Sequence, residues 1–185
     1  MTRPDLRNEL ADAGAASTLF HFKHLVGLGV PRATVAALRF NDWGWGVVTA
    51  LDIGDGLYCP GDGPLHLVLP VWEESDLIDL VAFRSGDPAD WKLRTGLGLA
   101  LGLERGWERH RWQPEVELSP TPLDWLRNGC DGLCIVDWDA PDITMLSSLP
   151  SIACPSRDVA TRLRQALTRP KSLPPISVRE TAIAA

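Results

Sequence analysis

The chain has 185 residues, of which 45% are hydrophobic and 23% charged, and its formal net charge is −6. This size and apolar content predict one compact domain with a real core. Net acidity disfavours tight non-specific binding to nucleic acid, which needs a basic surface. The longest apolar run, residues 97–103, is too short for a membrane span, and the N-terminus lacks a signal-peptide pattern. We therefore expect a cytoplasmic protein that makes no membrane contact.

Residues 1–40 predict a helical segment. Helices are expected over 4–13 and 17–28, the second capped by Ser17, with Leu19 on its apolar face. A further short helix after Pro31 would complete a helical hairpin. The hairpin has the outline of a helix-turn-helix but few of the basic residues that a recognition helix needs.

Residues 41–112 predict an antiparallel β-rich region. The runs WGVVTALDI, GLYC, LHLVLPVW and LIDLVAFR are β-branched or apolar, and GDG, PGDGP and EESD between them have turn compositions. Residues 41–90 contain ten acidic residues and one arginine. We interpret the acidic stretches as solvated turns rather than cation sites.

Basic residues cluster at the end of this region, where the glycine spacing in GLGLALGL does not match a dinucleotide-binding fingerprint. Arginines then alternate with tryptophans, a pattern that suits single-stranded nucleic acid by pairing and stacking. The same pattern suits a protein interface, so both interpretations stay open. The candidate nucleic-acid-binding residues are Lys92, Arg94, Arg105, Arg109 and Arg111.

Residues 113–170 predict a small α/β unit. After a short strand at VELS, Thr121 caps a helix that Gly129 ends, and a buried strand follows at 133–136. A short helix near 143–149, a strand at 151–154 and a helix capped by Ser156 complete the unit. This alternation indicates a parallel sheet with right-handed crossovers. We expect the tail, residues 171–185, to be loosely ordered, and the whole chain to be α+β.

Asp137 and Asp139 follow the buried strand directly, in the sequence GCDGLCIVDWDAP. Carboxylates at the carboxyl end of a parallel strand can hold a divalent cation such as Mg²⁺, here with Asp142 as a further ligand. The alternative is an Asp-rich turn that leads into the next helix.

The order of elements resembles a known family. Residues 116–168 resemble the Toprim domain of bacterial-type, DnaG-like primases, and residues 65–103 resemble the segment that precedes it. The resemblance rests on the strand pair LVLPVWEESDLIDLVAFR, the stretch WKLRTGLGLALGL, and PTPLDWL followed by Gly129, where the family has E-G-P-x-D-x-L and a glycine. The stretch SIACPSRDVATRLRQAL stands where the family has a strand ending in D-x-D.

The resemblance also implies what this chain lacks. In Toprim enzymes the glutamate acts in acid–base chemistry and the two aspartates hold magnesium. Here Pro120 stands at the glutamate position, and Pro155 and Arg157 stand at the aspartate positions. Asp137 and Asp139 follow the second strand of the unit rather than the third, so they are not the family's pair. The family mechanism is therefore not expected.

These observations predict a non-catalytic, primase-like accessory protein with a degenerate Toprim domain, of mobile-element or prophage origin. It would bind a protein partner or single-stranded nucleic acid and need no cofactor. One rival is a metal-dependent phosphotransferase or nuclease whose site is rebuilt at Asp137 and Asp139. Another is a protein-interaction or oligomerisation module.

Overall fold

The computed structural model describes residues 4–40, 44–103 and 115–169. The fold is α+β, with three N-terminal helices, a four-stranded antiparallel sheet and a small parallel sheet. None of the helices in these ranges is long and apolar enough to cross a membrane. The elements are α1 Leu6–Ala16, α2 Leu19–Gly27, α3 Arg32–Phe40, β1 Gly46–Gly54, β2 Leu57–Glu73, β3 Asp76–Arg84, β4 Asp87–Leu93, β5 Ala100–Leu101, β6 Val116–Glu117, α4 Pro122–Arg127, β7 Cys134–Ile135, a 3₁₀ helix Ile143–Ser148, β8 Ile152–Ala153 and α5 Arg157–Leu167.

The N-terminal helices confirm the predicted segment but correct its details. Ser17 ends α1, where its hydroxyl donates to the carbonyl of Gly14 at 2.7 Å, and Thr18 is the N-cap of α2. Leu19 is 65% exposed rather than buried. The contact with the core is made further along the helix, by Leu25, which is 2% exposed and belongs to the main apolar cluster.

The antiparallel sheet has the order β1-β2-β3-β4 and differs from the sequence prediction in two ways. GLYC and LHLVLPVW form one strand, β2, because PGDGP makes a bulge instead of a turn. The register passes from Thr49 opposite Leu65 to Ala50 opposite Pro60. A Cβ at Gly63 would lie 1.8 Å from the Ala50 carbonyl oxygen, so this close approach requires glycine.

The second difference is β4, which the sequence analysis did not identify. Its residues DPADWKL are mostly polar or half-buried and lack the apolar alternation of the other strands. Leu57 at the start of β2 also pairs with Leu93 at the end of β4, so the sheet is curled. Helix α1 packs on this sheet, and Leu6 shares a buried cluster with Tyr58 and Leu80.

The small sheet confirms the predicted parallel unit, although each of its strands has only two residues. Strand β6 pairs parallel with β8, and β5 pairs antiparallel with β7. A parallel bridge between Leu118 and Leu133 links the two pairs. The predicted caps are confirmed, since Thr121 and Ser156 accept the backbone N–H groups of residues 124 and 159 at 3.1 and 3.2 Å.

One apolar core connects the two sheets. The largest buried cluster contains Val35 of α3, Phe83 of β3 and Leu126 of α4. The Trp91 indole of β4 also donates to the carbonyl oxygen of Val136, at 2.8 Å, across the junction. The small parallel sheet is therefore held against the antiparallel sheet by packing and by a directed hydrogen bond.

Candidate functional site

The carboxyl ends of β6 and β8 lie side by side, because these strands pair in parallel with Val116 opposite Ile152 and Glu117 opposite Ala153. The chain leaves β6 through Leu118, Ser119 and exposed Pro120, and Ser119 donates its backbone N–H to the carbonyl of Leu133 at 2.7 Å. The carboxyl ends of parallel strands are a favoured place for ligands. We therefore take this edge as the candidate site.

Proline and arginine occupy the edge where the family resemblance places acids. Pro120 follows β6, and Pro155 and Arg157 follow β8, all three exposed. Both strand ends lead into capped helices, α4 and α5, with the cap oxygens of Thr121 and Ser156 already occupied by backbone N–H donors. At these three positions the edge therefore presents no acidic side chain.

Asp137 and Asp139 lie in the loop after β7, and both carboxylates already have partners. Asp137 accepts the backbone N–H of Asp139 at 2.8 Å, which is the local bond of an Asx turn. Asp139, with its side chain 81% exposed, pairs with Arg169 at 2.6 Å. Asp142 is exposed and faces a separate cavity. Within the described residues, no three acidic, histidine or cysteine side chains form a group that could hold a metal ion.

Two of the predicted nucleic-acid-binding residues are held in ion pairs. The Lys92 ammonium lies 3.1 Å from the Asp52 carboxylate and 3.0 Å from the Asp90 carboxylate, and these partners raise the Lys92 pKa. Arg94 forms a two-pronged pair with Glu9 at 2.7 and 3.0 Å. The Arg94 pKa is raised by this pairing. Both cations therefore have intramolecular partners, and neither is a free basic contact.

The remaining predicted contacts, Arg105, Arg109 and Arg111, lie outside the described residues.

An acidic cavity of about 510 Å³ was missed by the sequence analysis. It lies between the β2–β3 turn and the 3₁₀ helix, and its acidic lining is Glu73, Glu74, Asp76 and Asp142. Burial raises the pKa of Glu73, as do the charges of Asp142 and Glu74, although a backbone N–H from Leu99 at 3.3 Å opposes this. Such a cavity attracts cationic groups. The EESD turn was visible in the sequence, but its proximity to Asp142 was not.

A second missed feature is the buried carboxylate of Asp79, which is fully inaccessible to solvent. It accepts five backbone N–H groups at 2.7 to 3.1 Å, one from Leu80 and four from the loop after β4. Hydrogen bonds to an ionised acceptor are stronger than neutral ones. Asp79 is therefore a structural anchor for the loop that leads into β5, and the only sequence signal was an aspartate inside the apolar run LIDLVAF.

No protein-family model matches the chain, and no curated protein matches it at a significant level. Among solved structures, the chain is similar to the zinc-binding and RNA polymerase domains of the Aquifex aeolicus primase, with a TM-score of 0.57 and 10% sequence identity. The alignment covers 87% of this chain and 49% of that chain, so the present chain spans about half of that structure's length. This likeness shows a distant primase-like fold.

Proposed function

We propose that the protein is a non-catalytic, primase-like accessory protein with a degenerate Toprim domain, and that it acts by binding another macromolecule. The observation that supports this is the chemistry of the parallel sheet edge, where Pro120, Pro155 and Arg157 follow the strand ends. A proline ring supplies neither an exchangeable proton nor a metal ligand, and a guanidinium repels a cation. Metal-assisted phosphoryl transfer needs both kinds of acidic group.

A protein partner fits the described surface better than nucleic acid does. Affinity for a phosphate backbone comes from cations that release counterions on binding, and Lys92 and Arg94 are already neutralised by carboxylates. Large apolar side chains are exposed instead on one face of the β1–β2 hairpin. Leu51, Ile53 and Leu65 are 47%, 55% and 51% exposed. Clustered exposed apolar groups are typical of protein-interaction surfaces.

Single-stranded nucleic acid remains the alternative ligand, and it would depend on the arginines that alternate with tryptophans. Fluorescence anisotropy with a labelled oligothymidine of about 20 nucleotides tests it, over about 20 to 200 mM NaCl. One triple variant replaces Arg105, Arg109 and Arg111 with alanine. A control with the same change in charge replaces three exposed cations away from the sheet edge, Lys23, Arg32 and Arg164.

We expect no saturable binding at the lowest salt concentration, in either the wild type or the variants. If binding weakens steeply with salt and is lost only in the Arg105/Arg109/Arg111 variant, the ligand is nucleic acid and the proposal of a protein partner is wrong. Binding lost equally in both triple variants would indicate a non-specific effect of net charge.

The metal-dependent rival is tested by titration calorimetry with Mg²⁺ and Mn²⁺. We expect no specific binding, because Asp137 and Asp139 are engaged by a backbone N–H and by Arg169. A heat of binding that disappears in the Asp137→Ala/Asp139→Ala variant would contradict the non-catalytic proposal. If the heat of binding is unchanged in this variant, the metal binds elsewhere, and the hypothesis of a rebuilt Asp137/Asp139 site is wrong.

A further inference from the structure

A cavity of about 520 Å³ lies between α1 and the curled antiparallel sheet, away from the parallel sheet edge. Its floor is buried, and Tyr58, Val68 and Leu80 there are at most 2% exposed. Its rim is open to solvent at Ala16 of α1 and Thr49 of β1. Binding sites for small molecules commonly have this size, this apolar lining and a few polar groups.

The cavity depends on the curl of the sheet. The PGDGP bulge separates the two halves of β2, so that Pro60 and Leu65 on either side of the bulge both line the cavity. Bulges bend the strand that contains them. On the opposite wall, a Cβ at Gly46 would lie 2.2 Å from the Ala13 carbonyl carbon, so the helix meets the sheet closely beside the cavity. Close contact on one side and a bent strand on the other leave the space between them.

Tyr58 provides a polar group in this apolar floor. The residue is 2% exposed, and its hydroxyl has no hydrogen-bond partner among the described residues. Burial and the nearby carboxylate of Glu9 raise the Tyr58 pKa, so the hydroxyl keeps its proton and can donate it to an acceptor. The hydroxyl oxygen itself is not fully buried, so an acceptor on a ligand in the cavity can reach it.

Charge at the cavity selects against anions. Glu9 is neutralised by its pair with Arg94, whereas Asp12 on the same helix is exposed at the rim. His21, also in the lining, accepts the backbone N–H of Thr18 at its Nδ1, which leaves Nε2–H as a donor. The lining thus combines apolar walls with a few hydrogen-bond donors and two carboxylates, of which Glu9 is paired with Arg94 and Asp12 is not.

We infer that this cavity binds a small apolar molecule that is uncharged or cationic and carries a hydrogen-bond acceptor that the Tyr58 hydroxyl can reach. The ligand enters past Ala16 and Thr49 and buries its apolar body against Val68 and Leu80. The cavity is separate from the parallel sheet edge, and it shares only Leu65 with the exposed apolar surface proposed for partner binding, so Ala16→Trp tests the cavity without altering that surface.

The test uses the full chain and the uncharged dye Nile red, which is apolar and carries a carbonyl acceptor. Ala16→Trp fills the rim, and its control is Ala15→Trp, since Ala15 is the exposed neighbour on α1 that does not line the cavity. Tyr58→Phe removes only the hydroxyl. Thermal melts monitor folding of each variant, and Val48→Trp fills the cavity from the sheet side if Ala16→Trp is unfolded.

We expect saturable binding of one Nile red per chain, weakened about tenfold or more by Ala16→Trp and less than about twofold by Ala15→Trp, since a filled rim blocks the buried walls. Tyr58→Phe should weaken binding about threefold or more, as loss of one hydrogen bond predicts. The anionic dye 8-anilinonaphthalene-1-sulfonate should bind more weakly than Nile red. Asp12→Asn should reduce this difference in affinity between the two dyes. Absence of saturable binding, or equal effects of the two tryptophan variants, would overturn the inference.

Discussion

The antiparallel sheet and the small parallel sheet hold their shapes in different ways. Strands β1 to β4 have 7 to 17 residues and pair over long registers, and the loop that leaves the sheet is anchored by a buried carboxylate, Asp79. Strands β5 to β8 have two residues each, and their order depends on close backbone contact and helix caps. A charged anchor therefore stabilises the first sheet, whereas steric fit stabilises the second.

Removing the charged anchor should have the largest effect. Asp79→Ala removes the acceptor of the N–H groups of residues 80, 95, 97 and 98, whereas the Arg94 N–H still donates to the Leu80 carbonyl, and we expect a loss of about 3–5 kcal/mol in the free energy of unfolding. Urea denaturation followed by tryptophan fluorescence measures it. Asp76→Ala, an exposed aspartate on the same strand, should change stability by less than about 0.5 kcal/mol. A loss below about 1 kcal/mol for Asp79→Ala would show that water replaces the carboxylate.

Steric fit in the parallel sheet is tested by two glycines with the same backbone angle. Gly132 and Gly129 have φ of +70° and +72°. A Cβ at Gly132 would lie 2.1 Å from the carbonyl oxygen of Glu117, whereas one at Gly129 would only meet the Thr34 hydroxyl at 3.7 Å. Gly129→Ala should therefore cost about 1–2 kcal/mol for the backbone angle alone. Gly132→Ala should cost at least about 2 kcal/mol more, because β7 must move away from β6.

Equal losses for the two variants in the same denaturation experiment would mean that the strands can separate freely. The parallel sheet would then not depend on close backbone contact, and the contrast with the antiparallel sheet would fail.

Most features with local causes were predicted from the sequence, apart from the cap at Ser17 and the turn at PGDGP, whereas features that join distant residues were not predicted. The caps at Thr121 and Ser156 and the stop at Gly129 need only neighbours within four positions, and all were predicted correctly. Asp79 is bound by N–H groups up to 19 positions away, and Glu9 pairs with Arg94 across 85 positions. No local pattern encodes such contacts, because the fold itself brings the partners together.

The candidate site follows the same rule. Once the order of strands was predicted, the sequence showed that Pro120, Pro155 and Arg157 stand at the positions where the resembling family has acidic residues. The pairing of Lys92, Arg94 and Asp139 was not predicted, because Asp52, Glu9 and Arg169 come from distant parts of the chain. The second partner of Lys92, Asp90, lies on the same strand. The sequence therefore identified candidate residues only, and the structure showed which of the described ones already have partners.

The smallest expected effect lies at the junction of the two sheets, at Glu73. Burial raises the pKa of Glu73 in the folded protein above its unfolded value, so the folded state holds the proton more tightly. Stability therefore falls as the pH rises from the unfolded pKa through the folded pKa. Glu73→Gln keeps an oxygen for the Leu99 N–H but has no charge. It should be more stable than the wild type at pH 7 and no more stable near pH 3, where the wild-type carboxyl is protonated.

Because Glu73 is partly open to solvent, we expect this gain at pH 7 to be below about 1 kcal/mol. Thermal melts of the two proteins across this pH range measure it, and Glu74→Gln, an exposed neighbour in the same turn, is the matched control. A gain at pH 7 that persists undiminished at pH 3 would contradict a charge effect, because no charge then remains to remove. The gain would then come from packing. The junction would be stabilised by steric fit, like the parallel sheet, rather than by charge, like the antiparallel sheet.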